Sequence, residues 1–386
     1  MKVLFDVVHP AHVHFVRHVR EDLVADGHDT LVVSRHKDVT LELLDRLAIP
    51  HVCAGPAATG AWLSRASELA GRVRTLLGHI RRFRPDVVLT RNPAGVQAAR
   101  LAGVPGVFDT DDGTAVGLHF HAARPFAHLI TTPACIRQDF GRKHLRYPGF
   151  KSMAYLHPSR FRPDTNIRRQ LGLEPDAALF VLRFSAHAAF HDTKIRGLSP
   201  PTRHELVRRL TAHGHVVVSS EGPLPRGLQP HVPPLGPDQF HHLLAAADLC
   251  VGDSQSVAAE AAVLGTPAYR LSTFSDRVDY LQELEQRYRL VRNYVPGEET
   301  RFLTDVAQAA QDLTGVNQRA GEGHRRLLAD SVDLSSWLYA LLLEVGDGRR
   351  QRRRRAARAR RGPRHDQSRA DGEDPRRAPC TQQEGR

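Results

Sequence analysis

The chain predicts an α/β fold of two domains, each built on a doubly wound parallel sheet, with the two sheets facing a central cleft. Three observations carry that expectation. At 386 residues the chain exceeds the length at which one core usually keeps growing. Short β-branched runs alternate with longer stretches of helical period. That alternation stops once, near the middle, and then restarts. With 41% hydrophobic and 25% charged residues the composition is that of a globular protein with a real core.

The first half opens with a strand over Lys2 to Val8, a helix over Val13 to Ala25, a strand over Thr30 to Ser34 and a helix over Val39 to Leu47. Residues 62–83 place Trp62, Ala66, Leu69, Val73, Leu76, Ile80 and Phe83 at helical spacing, with Arg residues around the rest of the circumference. Strands at Asp86 to Thr90, Gly106 to Asp109 and His128 to Thr132, with a helix over Ala94 to Ala102, complete a Rossmann-like unit. From Tyr147 to Pro163 the composition turns to Pro, Gly, Tyr and Arg without a period, which reads as a connection. The pattern resumes with strands at Leu179 to Arg183, His215 to Ser219, Leu249 to Gly252 and Ala268 to Leu271. Helices over Arg203 to Ala212, Gln239 to Ala246 and Gln255 to Leu264 separate them. The expected division is therefore residues 1–148 for the first Rossmann-like domain, 149–165 for a linker and 166–346 for the second Rossmann-like domain. The last helices of the second domain are candidates to pack back on the first, and 347–386 forms a disordered Arg-rich tail.

The formal charge of +12 belongs mostly to that tail, where residues 349–386 carry 14 Arg against 5 acidic residues. A basic run without interleaved aromatics suits nonspecific contact with anionic membrane or nucleic acid rather than sequence reading. No apolar run reaches the roughly 20 residues of a membrane span, and Met1-Lys2 leads straight into a strand, so a cytoplasmic protein is expected, with the tail as a route to the inner membrane face. Cys53, Cys135, Cys250 and Cys380 form no CxxC pair, and neither disulfides nor structural zinc are expected.

The most informative segment is VGDSQSVAAEAAVLGTP, where a buried strand ends at Gly252 and turns through Asp253, Ser254, Gln255 and Ser256 into a helix. Free backbone N–H groups, the helix dipole and two hydroxyls converge there, which is the chemistry of a diphosphate site. Glu260 lies about one turn further on, where a carboxylate can accept from two ribose hydroxyls. The plainer alternative makes Asp253 and Ser254 helix caps and Glu260 a solvated side chain.

The stretch GDSQSVAAEAAVLGTPA resembles the donor-nucleotide loop shared by UDP-sugar 2-epimerases and GT-B glycosyltransferases. FDVVHPAHVHF, YLHPSRFRPD and VLRFSAHAAFHD are similar to a bacterial and archaeal family described as a domain of unknown function and predicted to be glycosyltransferase-like. The motifs spread over residues 1 to about 345. The resemblance implies a GT-B fold, phosphate held by the turn residues, ribose held by Glu260, and a nucleoside-diphosphate sugar, UDP-linked, as substrate rather than a permanently bound cofactor. Gln255 and Ser256 stand where the epimerases usually carry two glycines, which implies a looser approach of phosphate to the backbone.

Other polar residues fall at strand ends. His12 or His14, in the first βα turn beside His9, can act as a base toward an acceptor hydroxyl or as a donor to sugar or phosphate. The spacing of the three His does not match a helical metal pair, and no metal is assigned. Arg183 can neutralise a departing diphosphate, and His191 with Asp192 can form an oriented imidazole–carboxylate pair; an ordinary surface loop is the alternative. Asp111, within Asp109-Thr110-Asp111-Asp112-Gly113, is a candidate to meet acceptor or sugar, or to close a turn. Arg91-Asn92-Pro93 likewise points to the cleft.

Three activities fit. The first is transfer of a sugar to an acceptor, with a polysaccharide or lipid-linked acceptor as the expectation. A 2-epimerase ranks below it, because that chemistry needs several cleft carboxylates and the sequence offers few, Asp111 and Asp112 being the main candidates. A nucleotide-binding scaffold without turnover ranks third.

Overall fold

A computed structural model of the chain describes residues 1–37, 39–56, 62–112, 118–185, 197–273 and 278–360, with side chains for all of these but 56, 62–66 and 352–360. The first domain runs β1(Lys2–Asp6), α1(Pro10–Ala25), β2(Asp29–His36), α2(Thr40–Arg46), β3(His51–Pro56), α3(Trp62–Phe83), β4(Val87–Thr90), α4(Pro93–Leu101), β5(Gly106–Asp109), α5(Leu118–Ala123), β6(Leu129–Pro133) and β7(His144–Tyr147). All seven strands are parallel, in the order β3-β2-β1-β4-β5-β6-β7. β1 is apolar from Val3 to Phe5 because both its faces are covered there. Val3 and Phe5 join the core shared with α1, and Leu4 joins the one beneath α3 and α4.

After the short helices α6(Met153–Leu156) and α7(Ile167–Gln170), the second domain runs β8(Leu179–Phe184), α8(Pro200–Thr211), β9(His215–Ser220), two short 3-10 segments, α9(Phe240–Ala246), β10(Leu249–Gly252), α10(Gln255–Leu264), β11(Ala268–Leu271), α11(Asp279–Gln286), β12(Val291–Tyr294), α12(Glu299–Gln311) and α13(Leu313–Ala329). Its five parallel strands are ordered β12-β11-β10-β8-β9. The expected two parallel α/β sheets are present.

The connection is less irregular than its composition suggests. Met153, Ala154, Tyr155 and Leu156 are all buried, and α6 packs on α1, α10 and the last helix, α14(Leu334–Arg360). One apolar core runs through this seam from Phe5 and Phe15 to Val257 and Leu281. α14 crosses from the second domain onto the first, against α1 and β4. Arg160 fastens the crossing, donating to both Asp22 oxygens at 2.8 and 2.7 Å and to Asp333 at 2.6 Å.

The tail begins later than its composition implied. Residues 347–360, expected to be disordered, continue α14 as helix to Arg360. Arg is a good helix former, and the packed start of α14 supplies the nucleus. Arg350 also pairs with Asp86 at 3.3 Å, and Arg349 donates to the Pro85 carbonyl. No helix among the described residues is long and apolar enough to cross a membrane.

Candidate active site

In open α/β sheets, ligands sit beyond the carboxyl ends of the strands where the strand order reverses. The reversal falls between β1 and β4 in the first domain and between β8 and β10 in the second. Both points open onto one cleft of about 1230 Å³. His9 reaches it from the β1–α1 turn and His14 from α1, Asp112 from the loop after β5, Arg183 from β8, Ser254 from the β10–α10 turn, and Gln255, Ser256 and Glu260 from α10.

The β10–α10 turn is built for close approach. A Cβ on Gly252 would lie 2.0 Å from the Arg183 carbonyl oxygen, so β10 can lie against β8 there only with glycine. Asp253 is fully buried and faces away from the cleft. It accepts from the backbone N–H of Ser185 at 2.6 Å and of Leu198 at 3.1 Å, and Arg203 lies at 3.4 Å. Ser254 is the N-cap residue of α10 but its side chain makes no capping hydrogen bond. The helix ends at Gly265 in a left-handed conformation, φ 86°.

Glu260 is not a solvated side chain. It is 5% exposed, accepts from the Tyr155 hydroxyl at 2.6 Å, and lies 3.4 Å from His241 Nε2. His14, from the other domain, stacks on Tyr155 with ring centroids 5.3 Å apart and meets the His241 ring edge at 4.4 Å. Burial pushes the Glu260 carboxyl up, but His241 and the Tyr155 hydrogen bond outweigh it and hold it at about 2. Burial, then His241, pushes His14 well below its ordinary value, so its ring is neutral.

Arg183 projects from β8, donating to Ser219 Oγ at 2.7 Å and to Glu221 at 3.0 Å, with its guanidinium 5.6 Å from the Phe240 ring centre. His191 and Asp192 lie outside the described residues.

The first-domain wall holds a buried charge cluster. Arg91 donates to both Asp109 and Asp111, Lys151 lies 2.9 Å from the second Asp111 oxygen, and Thr131 donates to Asp109 at 2.9 Å. Burial pushes Asp111 up, but Arg91 and Lys151 hold it below the carboxylate range. Asp109 shares the Arg91 cation with Asp111, and burial lifts it to about 6. Asp112 is raised to about 6 by burial and then by the adjacent Asp111 charge, against the pull of Lys151 and Arg91. His12 lies toward this cluster rather than on the cleft wall. Burial, then Arg91, pushes its pKa well down, and its Nδ1 has no hydrogen-bond partner in the structure.

The structure thus brings His14, Arg183, Ser254, Gln255, Ser256 and Glu260 to one cavity, whose lining includes none of His12, Asp111 and Asp253. Tyr155, His241 and Lys151 were not singled out from the sequence. Tyr155 stands 105 residues from its partner Glu260, and only YLHPSRFRPD signalled its segment. Among the described residues no group of His, Cys, Asp and Glu is arranged to hold a metal ion.

No family model and no curated protein matches the sequence. Solved structures do match in fold. The UDP-GlcNAc 2-epimerase from Neisseria meningitidis bound to UDP-GlcNAc aligns with a TM-score of 0.60 at 14% identity, covering 89% of this chain and 99% of that one. The spinosyn forosaminyltransferase SpnP aligns with 0.59 at 17% identity, covering 89% and 99%. The glycosyltransferase VinC in complex with dTDP aligns with 0.57 at 14% identity, covering 90% and 100%. At these identities the likeness establishes the two-domain GT-B fold.

Proposed function

We propose that the chain is a nucleotide-sugar-dependent glycosyltransferase that holds its donor, a UDP-linked sugar, in the interdomain cleft. One observation carries the reading: the free N-terminal turn of α10 and the Arg183 cation face His14 and Asp112 across a single cavity at both switch points. The diphosphate takes the helix N-terminus, where N–H groups and dipole favour an anion. Glu260, kept ionised by its neighbours, accepts from the ribose hydroxyls.

With a carboxyl at about 6, Asp112 is ionised at neutral pH and basic enough to take a proton. The acceptor hydroxyl gives its proton to Asp112, its oxygen bonds to the anomeric carbon, and the bond from that carbon to the diphosphate oxygen breaks. Arg183 and the α10 dipole offset the charge that develops on the leaving group. Asp111, neutralised by Arg91 and Lys151, fixes the geometry of this wall instead of reacting.

A specific observation keeps a 2-epimerase as the second reading. Asp112 on the first-domain wall and Asp109 buried behind it are both raised to about 6, so two carboxyls there can exchange protons near neutrality. Incubation with UDP-sugars separates the two. A transferase releases UDP, slowly with water and faster with acceptor; an epimerase changes the configuration at C2 without net UDP release. Binding with neither outcome would leave a scaffold.

A further inference from the structure

A carboxylate that accepts from ribose hydroxyls needs a fixed orientation and lone pairs left to offer. The two oxygens of an ionised carboxylate carry about four acceptor sites. One Glu260 oxygen accepts from the Tyr155 hydroxyl at 2.6 Å and the other lies 3.4 Å from His241 Nε2, which leaves about two of those sites for a ligand. His241 lines the cleft beside Glu260 and can meet a nucleotide itself. Tyr155 is not part of that lining, so it can act on a nucleotide only through the carboxylate.

The Tyr155 ring is held from several sides. His14, from the first domain, stacks on it with ring centroids 5.3 Å apart, and the His241 ring lies at 5.3 Å as well. Its helix, α6, packs on α1, α10 and α14, and Ser335 of α14 donates to the Ala154 carbonyl at 2.7 Å. Burial, then the Glu260 charge, pushes the Tyr155 hydroxyl well above its ordinary value, so it remains a donor at neutral pH. A donor fixed in this way removes rotamer freedom from Glu260 before any ligand arrives, which is the economy of a preorganised site.

We propose, resting on the donor reading above, that Tyr155 is a positioning residue whose hydroxyl aims the Glu260 carboxylate at the two ribose hydroxyls. The second domain supplies the carboxylate, and the interdomain connection, braced by His14 of the first domain, supplies the group that aims it. Recognition of the ribose is thereby built across the domain seam.

The test is calorimetric titration of the full chain, wild type and Tyr155→Phe, with UDP and with 2′,3′-dideoxyuridine diphosphate. Phe keeps the ring and its stack on His14, so the variant should fold, and its affinity for the dideoxy analogue reports that it has. The wild type should prefer UDP over the analogue by about 10–100-fold, the worth of hydrogen bonds to a charged group. In Tyr155→Phe that preference should shrink to about threefold or less, while affinity for the analogue stays within about twofold. The remaining preference should decline further as pH falls toward the ordinary carboxyl value of 4.5, where the wild-type preference holds. The proposal is overturned if the variant keeps the wild-type preference, or if both nucleotides weaken by the same factor, which is the mark of a merely structural tyrosine. A wild-type chain that binds neither nucleotide, or both equally, would instead sink the donor reading at Glu260, and this proposal with it.

Discussion

The two walls of the cleft treat buried carboxylates in opposite ways. On the second-domain wall, Glu260 is buried yet held at about 2, because His241 stands against it and Tyr155 donates to it. On the first-domain wall, Asp112 is lifted to about 6, because the nearby cations Arg91 and Lys151 contact its neighbour Asp111 and that neighbour's charge adds to the cost of ionising it. Burial acts on both in the same direction; the donors within reach decide the outcome. One wall thereby keeps a permanent acceptor suited to holding hydroxyls, and the other a carboxyl poised to exchange a proton near neutrality.

Removing the exchangeable carboxyl should have the largest effect. Asp112→Asn is expected to lower turnover by about 10²–10⁴-fold, the usual worth of a general acid or base, while nucleotide affinity stays put. Because its ionised form is the base, the wild-type rate should climb as pH rises through about 6, and that limb should vanish in the variant. The same raised carboxyl stabilises the fold at low pH, and that contribution is lost as pH climbs from its ordinary value of 3.8 through about 6. A variant with full turnover and an unchanged pH profile would move the proton transfer elsewhere.

Asp111→Ala removes the partner of two buried cations and should cost about 3–5 kcal/mol in denaturant unfolding. A loss below about 1 kcal/mol would mean that Arg91 and Lys151 find other partners. Glu260→Ala should weaken nucleotide binding by about 1.5–3 kcal/mol, the range for hydrogen bonds to a charged group. Since the Glu260 carboxyl lies below its ordinary 4.5, its stabilising contribution is present above that pH and lost as pH falls toward about 2. Glu260→Gln should flatten that part of the acid unfolding curve. The smallest change is expected far from both walls: Arg350→Ala breaks a half-exposed pair with Asp86 and should shift stability by less than about 1 kcal/mol.

The inner strands were legible because both sheets are parallel and buried there, so they read as short apolar runs between amphipathic helices; the edge strands β3, β7 and β12, with exposed residues, carry no such run and were not read. The β10–α10 turn was legible because its signal is local, a strand, Gly252, and polar residues opening a helix. What stayed hidden was long-range. Nothing near Tyr155 says that its hydroxyl meets Glu260, and nothing near Asp112 says that its neighbour takes Arg91 and Lys151. The connection read as irregular because Pro and Gly dominate its composition, while the four buried residues of α6 are too few to display a helical period. The tail misled for a related reason. Arg-rich composition signals disorder, but Arg349 and Arg350 continue a helix already anchored on the first domain.

The most direct test of the donor site is a calorimetric titration of the full chain with UDP, GDP, ADP, dTDP and CMP, run in parallel on Glu260→Ala. The account predicts saturable binding of one nucleotide diphosphate, UDP, at a single site, and a clear loss of affinity in the variant. Absence of binding by all five at millimolar concentration, or equal affinity in the variant, would contradict it.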